Sequence, residues 1–215
     1  REIHRSLAMS FLARGQVFAA APHLLASSGD PELVIENVAA AADQATRAAM
    51  FVEAAALLGE AIDHSCEYFG ANDERTLRLM LDRAENLRRV GDATYLDVVW
   101  DVVRRADEAE LHTLYALGEA ALCKLGPLTH AGELDERVVS VVADALARCD
   151  DAEARARCAG EATLFFSMGG RVDLCRAYFD EALALARQVD DDALMISALG
   201  NAYLVLVHPS DAHER

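Results

Sequence analysis

The stretch Gly170–Leu185, GRVDLCRAYFDEALAL, decides how the chain is read. Wound as a helix, it places Cys175, Phe179 and Ala182 at i, i+4 and i+7, small then large then small, along one apolar stripe. The same triplet recurs upstream as Val138, Val142 and Ala145, as Leu96, Trp100 and Val103, and as Ala54, Leu58 and Ala61. Successive triplets stand 42, 42 and 37 residues apart (54 to 96, 96 to 138, 138 to 175). Another helical stretch precedes each of them. Glycine closes several of these stretches, with Gly91 before Leu96, Gly126 before Val138 and Gly169-Gly170 before Cys175. The unit is therefore helix, turn, helix. One such pair cannot bury both of its apolar faces, so neighbouring pairs must stack. The pattern predicts an all-α fold, a helical-hairpin solenoid of about five repeats, occupying residues 1–215 as a single domain.

Composition agrees with a folded chain. Of 215 residues 53% are hydrophobic, which excludes disorder. Lys and Arg number 20 against 36 Asp and Glu, a formal charge of −16, and a field of that sign repels phosphate backbones. Direct contact with nucleic acid is not expected. The most apolar run, residues 17 to 26, is interrupted by Pro22 and His23 and is too short to span a bilayer. No charged start leads into an apolar core with a cleavage site, so the expected location is cytoplasmic and away from membranes. Five cysteines, Cys66, Cys123, Cys149, Cys158 and Cys175, form no C-x-x-C pair, and four fall at helical positions that bury a small apolar group. They read as reduced thiols. The chain opens inside a helical pattern and reads as a piece of a larger multidomain protein.

In chain order the spacing predicts about eleven helices and no strand. At Ser28-Gly29-Asp30-Pro31-Glu32, Gly29 suits a left-handed cap, Asp30 an N-cap and Pro31 the first helical position. Asn72 or Asp73 caps the helix that ends near Val90. Trp100 sits in mid-stripe and reads as core. A helix over residues 108–125 carries Leu117-Gly118-Glu119-Ala120, which parallels Leu199-Gly200-Asn201-Ala202. In both, glycine lets a partner helix approach closely. The turn after Gly126 is longer, and its Pro127–Gly132 segment with His130 is a candidate binding loop.

Chemistry is sparse. Asp190-Asp191-Asp192 suits helix capping better than a metal, because consecutive helical residues point to different sides. Asp63-His64-Ser65-Cys66-Glu67 fits no zinc spacing. Neither a nucleophile elbow nor a phosphate-binding loop is present, and no catalytic residue, metal ligand or cofactor is assigned. His112 and Glu119 share one side of a helix with Tyr115 between them and read as a hydrated face or pocket wall.

Gly200-Asn201-Ala202-Tyr203 and the small-large-small stripes resemble tetratricopeptide-type repeats. More specifically, Ile3-His4-Arg5-Ser6-Leu7-Ala8, the Gly29–Glu32 turn and Phe51–Leu58 (FVEAAALL) are similar to the helical arm of MalT-like, ATP-binding LuxR-type transcriptional regulators. The resemblance implies a right-handed tetratricopeptide-like superhelix that receives an effector, while ATP hydrolysis and DNA binding reside in flanking modules. Leu96, Val138 and Cys175 depart from the family's usual alanine. On this reading the chain is a non-catalytic arm for effector sensing or protein–protein interaction, with a peptide, protein or small polar molecule as partner and self-association possible. First helices line a concave face that collects Arg78, Glu85, Arg89, His112, Tyr115, Glu119, Arg157, Glu161 and Asn201. Two other readings stay open: a self-contained helical enzyme with a metal at an acidic site, and an oligomerisation scaffold.

Overall fold

The computed structural model of the protein describes residues 1–27, 29–124 and 134–205. Among these residues it is all-helical, without a strand. The helices are α1 (Glu2–Leu12), α2 (Val17–Leu25), α3 (Pro31–Arg47), α4 (Phe51–Tyr68), α5 (Glu74–Arg89), α6 (Tyr95–Glu108), α7 (His112–Cys123), α8 (Glu136–Arg148), α9 (Ala152–Met168), α10 (Val172–Val189) and α11 (Asp192–Val205). None of them is long and apolar enough to cross a membrane. The chain divides into two compact units, Arg1–Val98 and Val99–Arg215.

Two kinds of connection join the helices. In the tight kind one residue turns left-handed and the next amide reaches back five residues, closing a Schellman-type cap. Gln16 N–H donates to Phe11 O, Met50 to Ala45, Asp92 to Leu87, Leu111 to Ala106 and Arg171 to Phe166, at 2.8–3.0 Å. The left-handed residues of these turns are Gly15, Ala49, Gly91, Glu110 and Gly170; Asp190, ahead of the Asp191 cap, is left-handed as well. In the second kind an aspartate caps the incoming helix: Asp30 accepts from Glu32 N–H, Asp73 from Arg75, Asp135 from Arg137, Asp151 from Ala154 and Asp191 from Ala193. Each such cap satisfies an amide that the first turn leaves orphaned. Asp30 and Pro31 take the expected roles.

The stripes of α4, α8 and α10 are buried as read: Ala54, Leu58 and Ala61, then Val138, Val142 and Ala145, then Cys175, Phe179 and Ala182 are all 6% exposed or less. The stripe of α6 is shifted. Leu96 and Trp100 are half-buried, and the buried set is Val99, Val102, Val103 and Ala106. Val99, Val103 and Ala106 keep the i, i+4, i+7 spacing three residues later, which leaves Trp100 at the margin under the Arg137 guanidinium, 5.1 Å from its ring. The residue 108–125 helix starts only at His112, because Glu110 turns left-handed and stops α6. Gly126, the Pro127–Gly132 segment with His130, and His208-Pro209 lie outside the described residues.

In the first unit α1 packs on α2, α2 on α3, α3 on α4 and α4 on α5. One apolar core joins α1 to α5, with Val34, Ile35, Val38, Leu58 and Leu79 among its members. In the second unit the pattern includes next-but-one neighbours: α9 packs on α7, α8, α10 and α11. Small residues on α9 permit this, since Ala154, Ala156, Cys158, Ala159 and Ala162 are all buried. Phe165 and Phe166 are 1% and 0% exposed. Gly118 on α7 sits so close to α6 that a Cβ would come 2.9 Å from Val103 Cγ2. At Gly200 a Cβ would meet nothing within 4 Å among the described residues.

Candidate functional site

The nine residues assigned to a concave face separate into distinct settings. In the first unit Glu85 holds Arg88 and Arg89, each at 2.9 Å, and Arg89 lies over the Phe51 ring. Arg78 pairs with Glu74 at 3.4 Å. All three belong to local ion pairs, which are worth well under 1 kcal/mol each when exposed.

On α7 the expected hydrated face is largely buried: Tyr115 is 6% and Glu119 0% exposed. The helix meets α8 on one side and α9 on another, so few of its positions reach water. His112 and Tyr115 face α8. There Arg148 donates to Asp107 at 2.6 Å and Asp144 at 2.8 Å, approaches His112 Nδ1 at 3.4 Å and lies over the Tyr115 ring at 5.0 Å. Burial, with the negative charge of Asp144 beside it, pushes the Tyr115 hydroxyl up to about 12. The two carboxylates push Arg148 higher still above the usual guanidinium range, so it stays charged. This cluster is a structural rivet between the end of α6, the start of α7 and the end of α8.

Glu119 points the other way, towards α9. Its Oε1 accepts from Cys123 Sγ at 3.0 Å and its Oε2 from Cys158 Sγ at 2.8 Å. Loss of water raises its pKa to about 7; the two thiol donors oppose that shift, and Glu161 adds to it. Burial first, and the adjacent carboxyl second, hold both thiols above their usual range. They are therefore poor nucleophiles. None of the five cysteines is in a disulfide, and four are buried.

The remaining three residues converge. Arg157, Gly160 and Glu161 on α9 form the middle of a cleft of about 120 Å³, flanked by Leu117, Ala120, Ala121 and Lys124 of α7 and by Ala193, Leu194, Ser197 and Ala198 of α11. Asn201 Nδ2 donates to Gly160 O at 2.8 Å and so ties α11 to the cleft's central strip. Arg157 is exposed and pairs with Glu153 at 2.9 Å. Small residues make the hollow: at Gly160 a Cβ would meet nothing within 4 Å, so the missing methyl is open space. The result is a shallow site with an apolar base, basic groups from Arg157 and Lys124 and an acid from Glu161. It suits a small molecule bearing both charges or one side chain of a bound peptide.

Of the nine residues expected on one concave face, Arg157 and Glu161 line this cleft and Asn201 is bonded to its Gly160, while Lys124 and Ser197 of the lining were not among the nine. A serine or lysine on a helix carries no signal of its own until the partner helices are known. Sequence reasoning also missed the thiol contacts of Glu119, although Cys123 at i+4 was a visible local hint.

No protein-family model matches the chain, and no curated protein matches it significantly.

Proposed function

We propose that the chain is a non-catalytic effector-sensing or protein-interaction arm of a larger ATP-binding transcriptional regulator, built on tetratricopeptide-like helical hairpins. The cleft shared by α7, α9 and α11 carries the reading. Three successive first helices contribute to it, its floor is formed of small residues, and its charged groups are of both signs. A site of this kind holds a ligand by shape and charge, and each helix that it bridges is free to respond to occupancy.

A thermal-shift screen of the twenty amino acids and short peptides tests this reading. At least one zwitterionic member is expected to raise the melting temperature of the wild type. The shift is expected to vanish in Arg157→Ala and Glu161→Gln. A screen without any shift, or shifts that both variants retain in full, would overturn the assignment.

Self-association has an observation of its own. On α11, Ile196, Leu199 and Tyr203 are 70%, 40% and 68% exposed at i, i+3 and i+7, an apolar stripe turned to solvent. Light scattering across a hundredfold concentration range decides it. Ile196→Glu would abolish a dimer formed through this stripe.

A further inference from the structure

We propose that a trough between α3 and α5, in the first unit, docks an amphipathic helix of a partner protein whose apolar stripe is flanked by Lys and Arg. Two hollows of about 350 and 140 Å³ share Ala39 and Asp82 and so form one trough. It runs from Glu32 and Arg75 to Thr46 and Asn86. At 1.5 Å per residue that is roughly 20 Å, the length of about four helical turns.

The chemistry of the trough selects its occupant. Ile35, Ala39, Leu58, Leu79 and Phe69 give it an apolar base. Its volume holds side chains from one stripe at i, i+4 and i+7, not a whole helix. An extended peptide fits poorly, because the backbone donors and acceptors of α3 and α5 are spent within those helices. A strand laid there would bury its own unpaired amides, whereas a helix arrives with its backbone satisfied.

Charge fixes the sign of the partner. Five carboxylates line the trough, against two arginines, Arg75 and Arg78. Glu32 pairs with Arg75, Asp43 with Arg47 and Glu85 with Arg88 and Arg89, which leaves Glu36 and Asp82 to set the sign. Both lining arginines are engaged already. Arg75 bonds Asp73 at 2.9 Å and Glu32 at 3.4 Å and lies over the Phe69 ring, and Arg78 pairs with Glu74. An edge of Asp82 remains exposed, yet crowding holds its carboxyl above the usual range, with Arg78 opposing and Asp43 reinforcing the shift. A partner's cation placed beside Glu36 and Asp82 meets charge that the chain leaves undercompensated.

The probe is a fluorescein-labelled 18-residue helical peptide of leucine and lysine, with leucine at i, i+3, i+4 and i+7, compared with its leucine and glutamate analogue. Anisotropy titrations on the full chain are expected to give micromolar binding for the basic peptide and none for the acidic one. Ala39→Trp fills the trough without changing charge and is expected to weaken binding at least tenfold. So is the Glu36→Lys, Asp82→Lys double variant. The matched Glu67→Lys, Asp180→Lys pair, outside the trough, is expected to stay within threefold of wild type. Circular dichroism melts identify any variant that fails to fold, and the filling and charge arms are independent of each other. Absent binding, equal binding of the acidic peptide, or equal losses in trough and control variants would each overturn the proposal. So would a wild-type dimer that Ala39→Trp dissociates, since the trough would then belong to a second copy.

Discussion

Alternate helices of the second unit, α7, α9 and α11, lie against one another across alanine, glycine and cysteine, whereas α3 and α5 of the first unit leave a trough between them. The residues at the two seams explain the difference. Ala120, Cys158 and Ala159 can be buried dry, and Glu119, the buried carboxyl among the described residues, has its pKa raised to about 7 by lost water. Glu36 and Asp82, with the exposed pairs Asp43–Arg47 and Arg78–Glu74, are costly to dehydrate, so their seam stays open to solvent. Side-chain size and charge at one helical face thus decide whether alternate helices close over most of their seam, leaving a shallow cleft of about 120 Å³, or stand apart along a longer trough.

The largest expected effect lies in the aromatic packing of α9 against α10 in the second unit. Phe166 is 0% exposed on α9, with its ring 5.3 Å from Phe165 and stacked 5.1 Å from Tyr178. Phe166→Ala is expected to cost about 3–5 kcal/mol in chemical denaturation. Leu79 of α5 borders the trough, so the cavity left by Leu79→Ala opens to water and its cost falls near about 2 kcal/mol. Equal losses would remove the distinction between closed packing and an open seam.

The buried carboxyl gives the next largest effect, and it depends on pH. The folded pKa of Glu119, about 7, lies above the ordinary unfolded value of about 4.3. Between those values the folded chain binds the extra proton, so the stability contributed by the neutral acid is complete below about pH 4.3 and is lost as pH rises through 7. The stability difference between wild type and Glu119→Gln is therefore expected to fall by about 3 kcal/mol from pH 4 to pH 8, measured by urea unfolding at fixed pH. Asp82→Asn, at the open seam, should show the same sign with a much smaller slope. A flat difference for Glu119→Gln would show that water reaches this carboxyl.

How much of this was legible beforehand follows from which helices have one neighbour set. The stripes of α4, α8 and α10 could be read because each has one buried side and one wet side, and a 3.6-residue period records that contrast. For α7 the period carries little information: with neighbours on several sides, Leu114, Tyr115, Ala116, Gly118, Glu119 and Ala120 are all buried, and Glu119 looks polar where it is interior. Trp100 was misplaced for a related reason. In YLDVVWDVVRRA, residues 95–106, several i, i+4, i+7 sets overlap, Leu96, Trp100 and Val103 among them, and only the packing of α6 chooses Val99, Val103 and Ala106. The cleft and the trough depend on residues more than thirty positions apart facing one another. A single-helix pattern contains no such term.

Glycine positions separate the two kinds of surface at smaller energies. Gly118 is a point of close approach, and Gly118→Ala pushes a methyl into Val103, so a net loss of about 1–2 kcal/mol is expected. Gly160 borders open cleft, and Gly160→Ala is expected to gain about 0.5–1 kcal/mol from helix propensity while shrinking the hollow. The two substitutions are chemically identical and opposite in sign. A loss at Gly160 would mean that the cleft is closed in solution.

The smallest effect tests the hairpin turns that both units share. At the left-handed position Gly15, Gly91 and Gly170 have φ of 69°, 75° and 73°, while Ala49 and Glu110 adopt φ of 59° and 55° with a side chain attached. A Cβ in this region costs about 1–2 kcal/mol, and glycine returns about 0.5–1 kcal/mol of that through its greater freedom in the unfolded chain. Ala49→Gly and Glu110→Gly are each expected to stabilise by about 0.5 kcal/mol, and Gly91→Ala to destabilise by a similar amount, all read from urea midpoints. Because the backbone hydrogen bond that closes each turn has the same five-residue reach, the gain should be equal in the two units even though their seams differ. A gain at one position only would locate a difference between the units in the turns themselves, and the contrast between closed and open seams would no longer rest on side chains alone.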